Sequence, residues 1–448
     1  MRRWITAAAA ALALTLGTGL PATAKQGPDY RIDEQALAAT VADVERSTGQ
    51  DAISGQIAGA AYIAQVPKNW NGDLVVYAHG YRGTGSDLTV EPPPAYQYLI
   101  SQGYAWAASS YRRNDYDPGI GVIDTKNLTV RMKKVLGRTL DKTYLVGFSM
   151  GGHVTASAIE TYPTLYDGAL PACGVLGDVE LFDYFLDYSL GAAAYAGLGA
   201  DDYAFPSSSW TTTTVPRIEA GLSYAPGPNW AFALKPAGQQ FKSFVEVGSG
   251  GDRVTFDTAW QYWHSPANES GSFLFNRSAG DGTIAGRRGT VAQNSDTVYA
   301  TEYGRQFASL DTTIKRVTAS NRARKAQGTT PAPIIHGTPS VPVLSLHTTG
   351  DLFVPIEMEQ IYAKEVRANG RGDLLVQRAI RDVGHCSFTG EEIVSAYSDL
   401  FRWVETGVKP AGEDLVSNIS SPTLGCAFTK GTGGSGLRPQ IAALEPCG

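Results

Sequence analysis

The chain has 448 residues and a formal net charge of −6, long enough for one large core with an insertion or for two domains. The acidic balance comes without any basic run, which argues against nucleic acid, an anionic membrane or a negatively charged polymer as partner. Four cysteines, Cys173, Cys386, Cys426 and Cys447, match no zinc spacing, and an even number in an exported chain suggests two disulfides.

In chain order, Arg2 and Arg3 precede an apolar run from Trp4 to Leu20, and Ala22-Thr23-Ala24 supplies a small-residue cleavage pattern. Residues 1–24 therefore read as a secretory signal peptide, and the product as secreted or periplasmic. Losing the two arginines takes the formal charge from −6 to −8. No later stretch has the roughly 20 uninterrupted apolar residues that cross a bilayer. Strands are expected over 60–66, 74–78, 104–109, 144–148, 168–173, 343–347 and 374–380. Helices are expected over 96–102, 125–136 with Asp124 as N-cap, 152–161 and 391–404. Continuous apolar strands separated by helices predict the α/β class, a mostly parallel, doubly wound sheet covered on both faces.

From Gly177 to about Pro339 the alternation stops, and the sequence becomes rich in aromatics, Gly and Ser, as in Leu181–Tyr188 and Trp260–His264. The reading is a core in two parts, 25–176 and 341–405, interrupted by a cap or lid over 177–340 and followed by a Gly/Pro-rich C-terminal tail over 406–448. Such an insertion over the carboxyl edge of a parallel sheet would roof a substrate cleft, with Tyr184 and Tyr188 as candidate substrate contacts.

The most informative stretch is Gly147-Phe148-Ser149-Met150-Gly151, a G-x-S-x-G pattern between a short apolar strand and a helix that Pro163 ends. That is the context of a nucleophile elbow, in which flanking glycines let a helix pass close to the strand and lift the serine hydroxyl clear. A serine nucleophile needs a base. Of His79, His153, His264, His336, His347 and His385, His153 lies one turn along the elbow helix and points away, and His347 lies inside a strand as a core histidine. His385 stands in a loop directly after the strand at 374–380, at the same sheet edge as Ser149. Asp351 emerges after the strand at 343–347 and is the preferred acid to orient His385; Asp382, three residues from His385, is the rival.

With these residues in view, the chain resembles the α/β-hydrolase superfamily, through the elbow, the His79-Gly80 turn after an early strand, Gly350–Pro355, and Gly384-His385. The resemblance implies that fold with a Ser149, Asp351, His385 triad and an oxyanion hole formed by the backbone N–H groups of Met150 and Tyr81, with His79 bracing the loop. It implies no metal and no organic cofactor. A narrower likeness to secreted feruloyl esterases and tannases rests on His385-Cys386. In those enzymes the cysteine after the histidine bonds to one just before the serine, but Phe148 stands there in this chain. The likeness makes Cys173 the candidate partner of Cys386 and leaves Cys426 and Cys447 to close the tail; sequence alone leaves all three pairings open.

The function expected is a serine esterase acting on a small-molecule or polymeric ester with an aromatic or apolar acyl part. The alternative is a serine peptidase of the prolyl or aminopeptidase type, which an acidic cluster drawn from Asp183, Asp187, Asp201 and Asp202 would support. A non-catalytic binding protein on the same fold is a third class, disfavoured because all three triad members are present.

Overall fold

The computed structural model describes residues 29–137, 139–278, 290–320, 324 and 332–447; the expected signal peptide lies outside the described residues. One sheet organises the chain. Its strands are β1 (Ala52–Ile57), β2 (Ala60–Gln65), β3 (Leu74–Ala78), β4 (Ala105–Ser109), β5 (Thr143–Phe148), β6 (Gly168–Ala172), β7 (Val343–Thr348) and β8 (Leu375–Ile380). Their spatial order is β8-β7-β6-β5-β3-β4-β2-β1. The strands from β3 to β8 run parallel, while β2 pairs antiparallel with β4 and β1 antiparallel with β2.

Before β5 come α1 (Glu34–Thr48), α2 (Tyr96–Ser101) and α3 (Pro118–Val135), and α4 (Met150–Thr161) follows it. Between β6 and β7 lie α5 (Glu180–Tyr195), α6 (Val215–Leu222), α7 (Pro236–Gly248), α8 (Phe256–Trp263), α9 (Phe273–Ser278), α10 (Tyr299–Glu302) and α11 (Leu310–Thr313). The chain closes with α12 (Glu357–Ala368), α13 (Gly390–Thr406) and α14 (Arg438–Leu444).

Strands β2 to β8 are buried along their whole length, because alternate side chains enter two separate apolar layers. Val75, Tyr77, Trp106, Tyr144 and Val146 pack with α1, α2 and α13, whereas Leu74, Val76, Leu145, Ala169 and Val343 pack with α3, α4 and α12. The helices between β6 and β7 have an aromatic core of their own, centred on Tyr188, Trp230, Phe241, Trp260 and Phe275. That core is continuous with Leu352 and Val354 after β7 and with Val383 after β8, so it sits on the carboxyl edge of the sheet.

Three local expectations change. α3 begins at Pro118 rather than near residue 125, because Asp117 caps it by accepting from the Ile120 N–H at 3.2 Å, with Pro118 in the first turn. Asp124 is instead buried inside that helix and paired with Arg112. β1, α1 and α12 were not anticipated: β1 is a half-exposed edge strand with Gly55 in it, and the two helices carry mixed polar surfaces.

Candidate active site

β5 ends at Phe148 and α4 starts at Met150, so the chain reverses on Ser149 alone. Ser149 has φ 59° and ψ −123°, a region that costs an L residue about 1–3 kcal/mol and survives only where the surroundings impose it. Two glycines make the reversal sterically feasible. A Cβ on Gly147 would run into Gly151 O and Thr155 Oγ1, and one on Gly151 would run into Ala78 O, so α4 passes directly against β5 and β3. Ser149 consequently stands at the N-terminus of α4, where backbone N–H groups favour developing negative charge.

The structure brings Ser149, His385 and Asp351 together. His385 Nε2 lies 2.8 Å from Ser149 Oγ, and His385 Nδ1 lies 2.5 Å from Asp351 Oδ2. Asp351 is fully buried, and its other oxygen, Oδ1, accepts from the Phe353 and Val354 N–H groups at 2.8 and 3.0 Å. The serine thus follows β5, the acid follows β7 and the histidine follows β8, all at the carboxyl edge of one mostly parallel sheet whose first strands are antiparallel. The chain has the α/β-hydrolase fold.

No family model matches the chain. It is 24% identical over 407 residues to an o-phthalyl amidase of Xanthobacter agilis, spanning 79% of this chain and 87% of the amidase. Among solved structures, it is similar to feruloyl esterase B from Aspergillus oryzae, at 16% identity and a TM-score of 0.43 over 80% of this chain and 82% of the esterase. Lipase A from Candida antarctica gives 16% identity and a TM-score of 0.40, over 90% and 88% of the two chains. At those scores the solved structures add nothing to the topology, on which the fold rests.

In this fold the rival acid is engaged elsewhere. Asp382 is fully buried, accepts from the Val383 N–H at 2.7 Å and pairs with Arg438 Nε at 2.6 Å. Arg438, from α14, also binds Glu392 at 2.7 Å and donates to Ser387 O at 2.7 Å, so the C-terminal tail clamps the histidine loop from beneath. Sequence reasoning missed this arginine, one of three cations in a tail read only by composition and 53 residues beyond His385. Removing one partner of a buried ion pair typically costs about 3–5 kcal/mol. Arg438→Met is therefore expected to lower the thermal unfolding midpoint by several degrees, and an unchanged midpoint in a melting curve would remove the clamp.

Cys173 is bonded to Cys386, and Cys426 to Cys447. The first bridge joins the residue after β6, the neighbour of the serine strand, to the residue after His385. It also consumes both sulfurs of the Cys173, His385, Cys386 cluster, the one group of metal-ligand spacing among the described residues, and leaves no thiolate to hold a cation.

Gly80 packs on the elbow, since a Cβ there would lie 3.1 Å from Ser149 Cβ, which brings the loop carrying Tyr81 beside the serine. Met150 opens α4, so its N–H is a first-turn donor without an intrahelical acceptor. His79 stacks on Tyr111 at 3.9 Å, and its Nδ1 lies 2.7 Å from Gly80 O; burial pulls its pKa down to about 3, so it is neutral. His153 is fully buried between Tyr116 Oη and Pro333 O, at 2.9 and 2.6 Å, and burial lowers it to about 4. His347 is buried against Val354 O at 2.8 Å.

A cleft of about 230 Å³ opens over Ser149, lined by Tyr81, Tyr116, Leu181, Phe182, Phe185, Phe353 and Arg277 among others. Tyr184 and Tyr188, the expected substrate contacts, do not line it. Tyr184 is buried with its hydroxyl donating to Leu352 O at 3.0 Å, and Tyr188 is buried with its hydroxyl 2.7 Å from His264 Nε2. Both sit on α5, but Leu181, Phe182 and Phe185 form the stripe that faces the serine, and residues 184 and 188 lie on the adjoining stripe that faces the aromatic core.

Proposed function

We propose that this chain is an exported serine hydrolase that cleaves carboxylic esters with an aromatic or apolar acyl part. The observation that carries the proposal is the unbroken hydrogen-bonded line from buried Asp351 through His385 to Ser149, ending in an aromatic-walled cleft. His385 Nε2 takes the Ser149 proton as Oγ attacks the acyl carbon, and the imidazolium is stabilised by Asp351. The oxyanion is held by the Met150 and Tyr81 N–H groups. His385 then protonates the departing alkoxide, and a water molecule repeats the cycle to release the acid. Two disulfides, with no helix among the described residues long and apolar enough to cross a membrane, are compatible with an extracellular or periplasmic protein.

An amide bond is the second reading, favoured by one observation: the sequence relative that spans most of this chain is an amidase. The same steps apply, with His385 protonating a leaving nitrogen. The carboxylates expected to read a peptidase substrate's amine are elsewhere: Asp183 is paired with Arg324, Asp187 accepts from Tyr299 and Tyr303, and neither they nor Asp201 and Asp202 line the cleft, whose one carboxylate among the described residues is Asp115.

A fluorophosphonate probe is expected to label Ser149, with turnover of p-nitrophenyl or feruloyl esters exceeding that of amino-acyl anilides. Turnover of amides alone would move the assignment to the second reading. No labelling and no turnover of any of the three would sink the hydrolase assignment.

A further inference from the structure

The cleft over Ser149 is not uniformly apolar. Asn276 and Arg277, at the end of α9, enter it beside Phe182, Phe185 and Phe353. The Arg277 guanidinium is fixed: Nε donates to Phe273 O at 3.1 Å and Nη2 binds Glu269, while the group lies over the Phe273 ring at 4.2 Å, with the Phe353 ring at 6.0 Å. Glu269 does not line the cleft and its side chain is 41% exposed, against 27% for Arg277, so it holds the cation from the solvent side. A guanidinium carries five N–H donors in a rigid fork. Those two contacts leave it able to receive an anion from the cleft side.

The cleft's other charge, Asp115, accepts from the Tyr116 N–H at 2.9 Å. Tyr81 lies within reach of both charges: burial and then Asp115 push its phenol up, and Arg277 draws it down. Tyr81 therefore lies near both of the cleft's charges, and the cation is the one that stands on α9 among the phenylalanines. An aromatic ring seated between Phe182, Phe185 and Phe353 would carry a substituent directly toward Arg277.

We propose that Arg277 makes this cleft selective for aromatic acyl substrates that also carry a carboxylate. The ring packs on the phenylalanines, the carboxylate pairs with the guanidinium, and the scissile carbonyl meets Ser149. Arg277 is thus a specificity residue, and its assignment rests on the serine-hydrolase reading above.

The test compares kcat/KM of the purified protein for methyl benzoate, for the monomethyl esters of phthalic, isophthalic and terephthalic acids, and for methyl 4-(aminomethyl)benzoate. At least one carboxylate-bearing ester is expected to exceed methyl benzoate by about 10- to 100-fold, the worth of one charge-assisted hydrogen bond. Arg277→Ala should erase most of that advantage and Arg277→Lys should restore part of it. Equal rates on charged and neutral esters, a preference for the aminomethyl ester, or an equal loss on every ester in Arg277→Ala would each overturn the assignment. Product inhibition of the unaltered protein covers the case of a variant that does not fold: the matching dicarboxylate should inhibit more strongly than benzoate, and equal inhibition overturns the proposal. If none of the esters is turned over and the fluorophosphonate does not label Ser149, the hydrolase reading falls and takes this one with it. Turnover of methyl benzoate without any charge preference removes Arg277 alone.

Discussion

Ser149→Ala is expected to lower kcat by on the order of 10⁶, the usual consequence of deleting a triad nucleophile, while leaving the fold as stable as before. Stability should hold because alanine keeps the Cβ that packs 3.1 Å from the position a Gly80 Cβ would take, and because the strain at φ 59° belongs to any residue with a side chain. Glycine would be a poorer test, since it would relieve that strain and alter the turn. Only Oγ disappears, and with it the acceptor and donor 2.8 Å from His385 Nε2. The measurement is steady-state hydrolysis of a p-nitrophenyl ester beside a circular dichroism melt. A folded Ser149→Ala protein that retained turnover within tenfold of the original would show that the nucleophile lies elsewhere.

The sheet was legible because its central strands are continuous apolar runs. The strand expected over 74–78 matches β3, and those expected over 144–148 and 343–347 differ by a residue at most, since burial on both faces keeps these runs mostly apolar. The helix boundary at Pro118 was obscured by the Pro118-Gly119 pair, which reads as a turn until Asp117 is seen to cap it. Ser149, Asp351 and His385 each follow a predicted strand, and in a parallel sheet that alone puts them at one edge. The face of α5 was a different matter. That helix is buried on nearly every side, from Leu181 through Tyr184, Leu186, Tyr188 and Leu190 to Ala193, so its hydrophobic pattern contains no direction toward the serine. Arg277 and Arg438 were beyond reach for a related reason. Arg438 has partners, Asp382 and Glu392, that are distant in sequence, and Arg277, though held locally by Phe273 and Glu269, faces a cleft whose other walls, such as Phe353, are distant too.

Two carboxylates were candidates to serve His385, and Asp351→Asn and Asp382→Asn should separate them sharply. In Asp351→Asn, the Phe353 and Val354 N–H groups continue to demand an acceptor where Oδ1 now sits, at 2.8 and 3.0 Å. The amide oxygen must take that place, which turns the amide NH₂ toward His385 Nδ1. Nδ1 then has to accept rather than donate, the imidazole proton moves to Nε2, and the atom facing Ser149 Oγ can no longer receive the serine proton. A fall in kcat of about 10⁴ at neutral pH is expected from this reversed tautomer, with little change in the melting temperature because the backbone donors stay satisfied. Asp382→Asn should do the opposite. It removes the charge that faces Arg438 Nε at 2.6 Å in a fully buried setting, so the loss appears in stability, while the folded fraction keeps most of its turnover because Asp351 still orients His385. The two variants are compared by kcat at a temperature where both are folded and by thermal unfolding. If Asp382→Asn carried the larger kcat defect and Asp351→Asn the larger stability defect, the acid that serves His385 would be Asp382, and the hydrogen bond between Asp351 Oδ2 and His385 Nδ1 would have only a structural role.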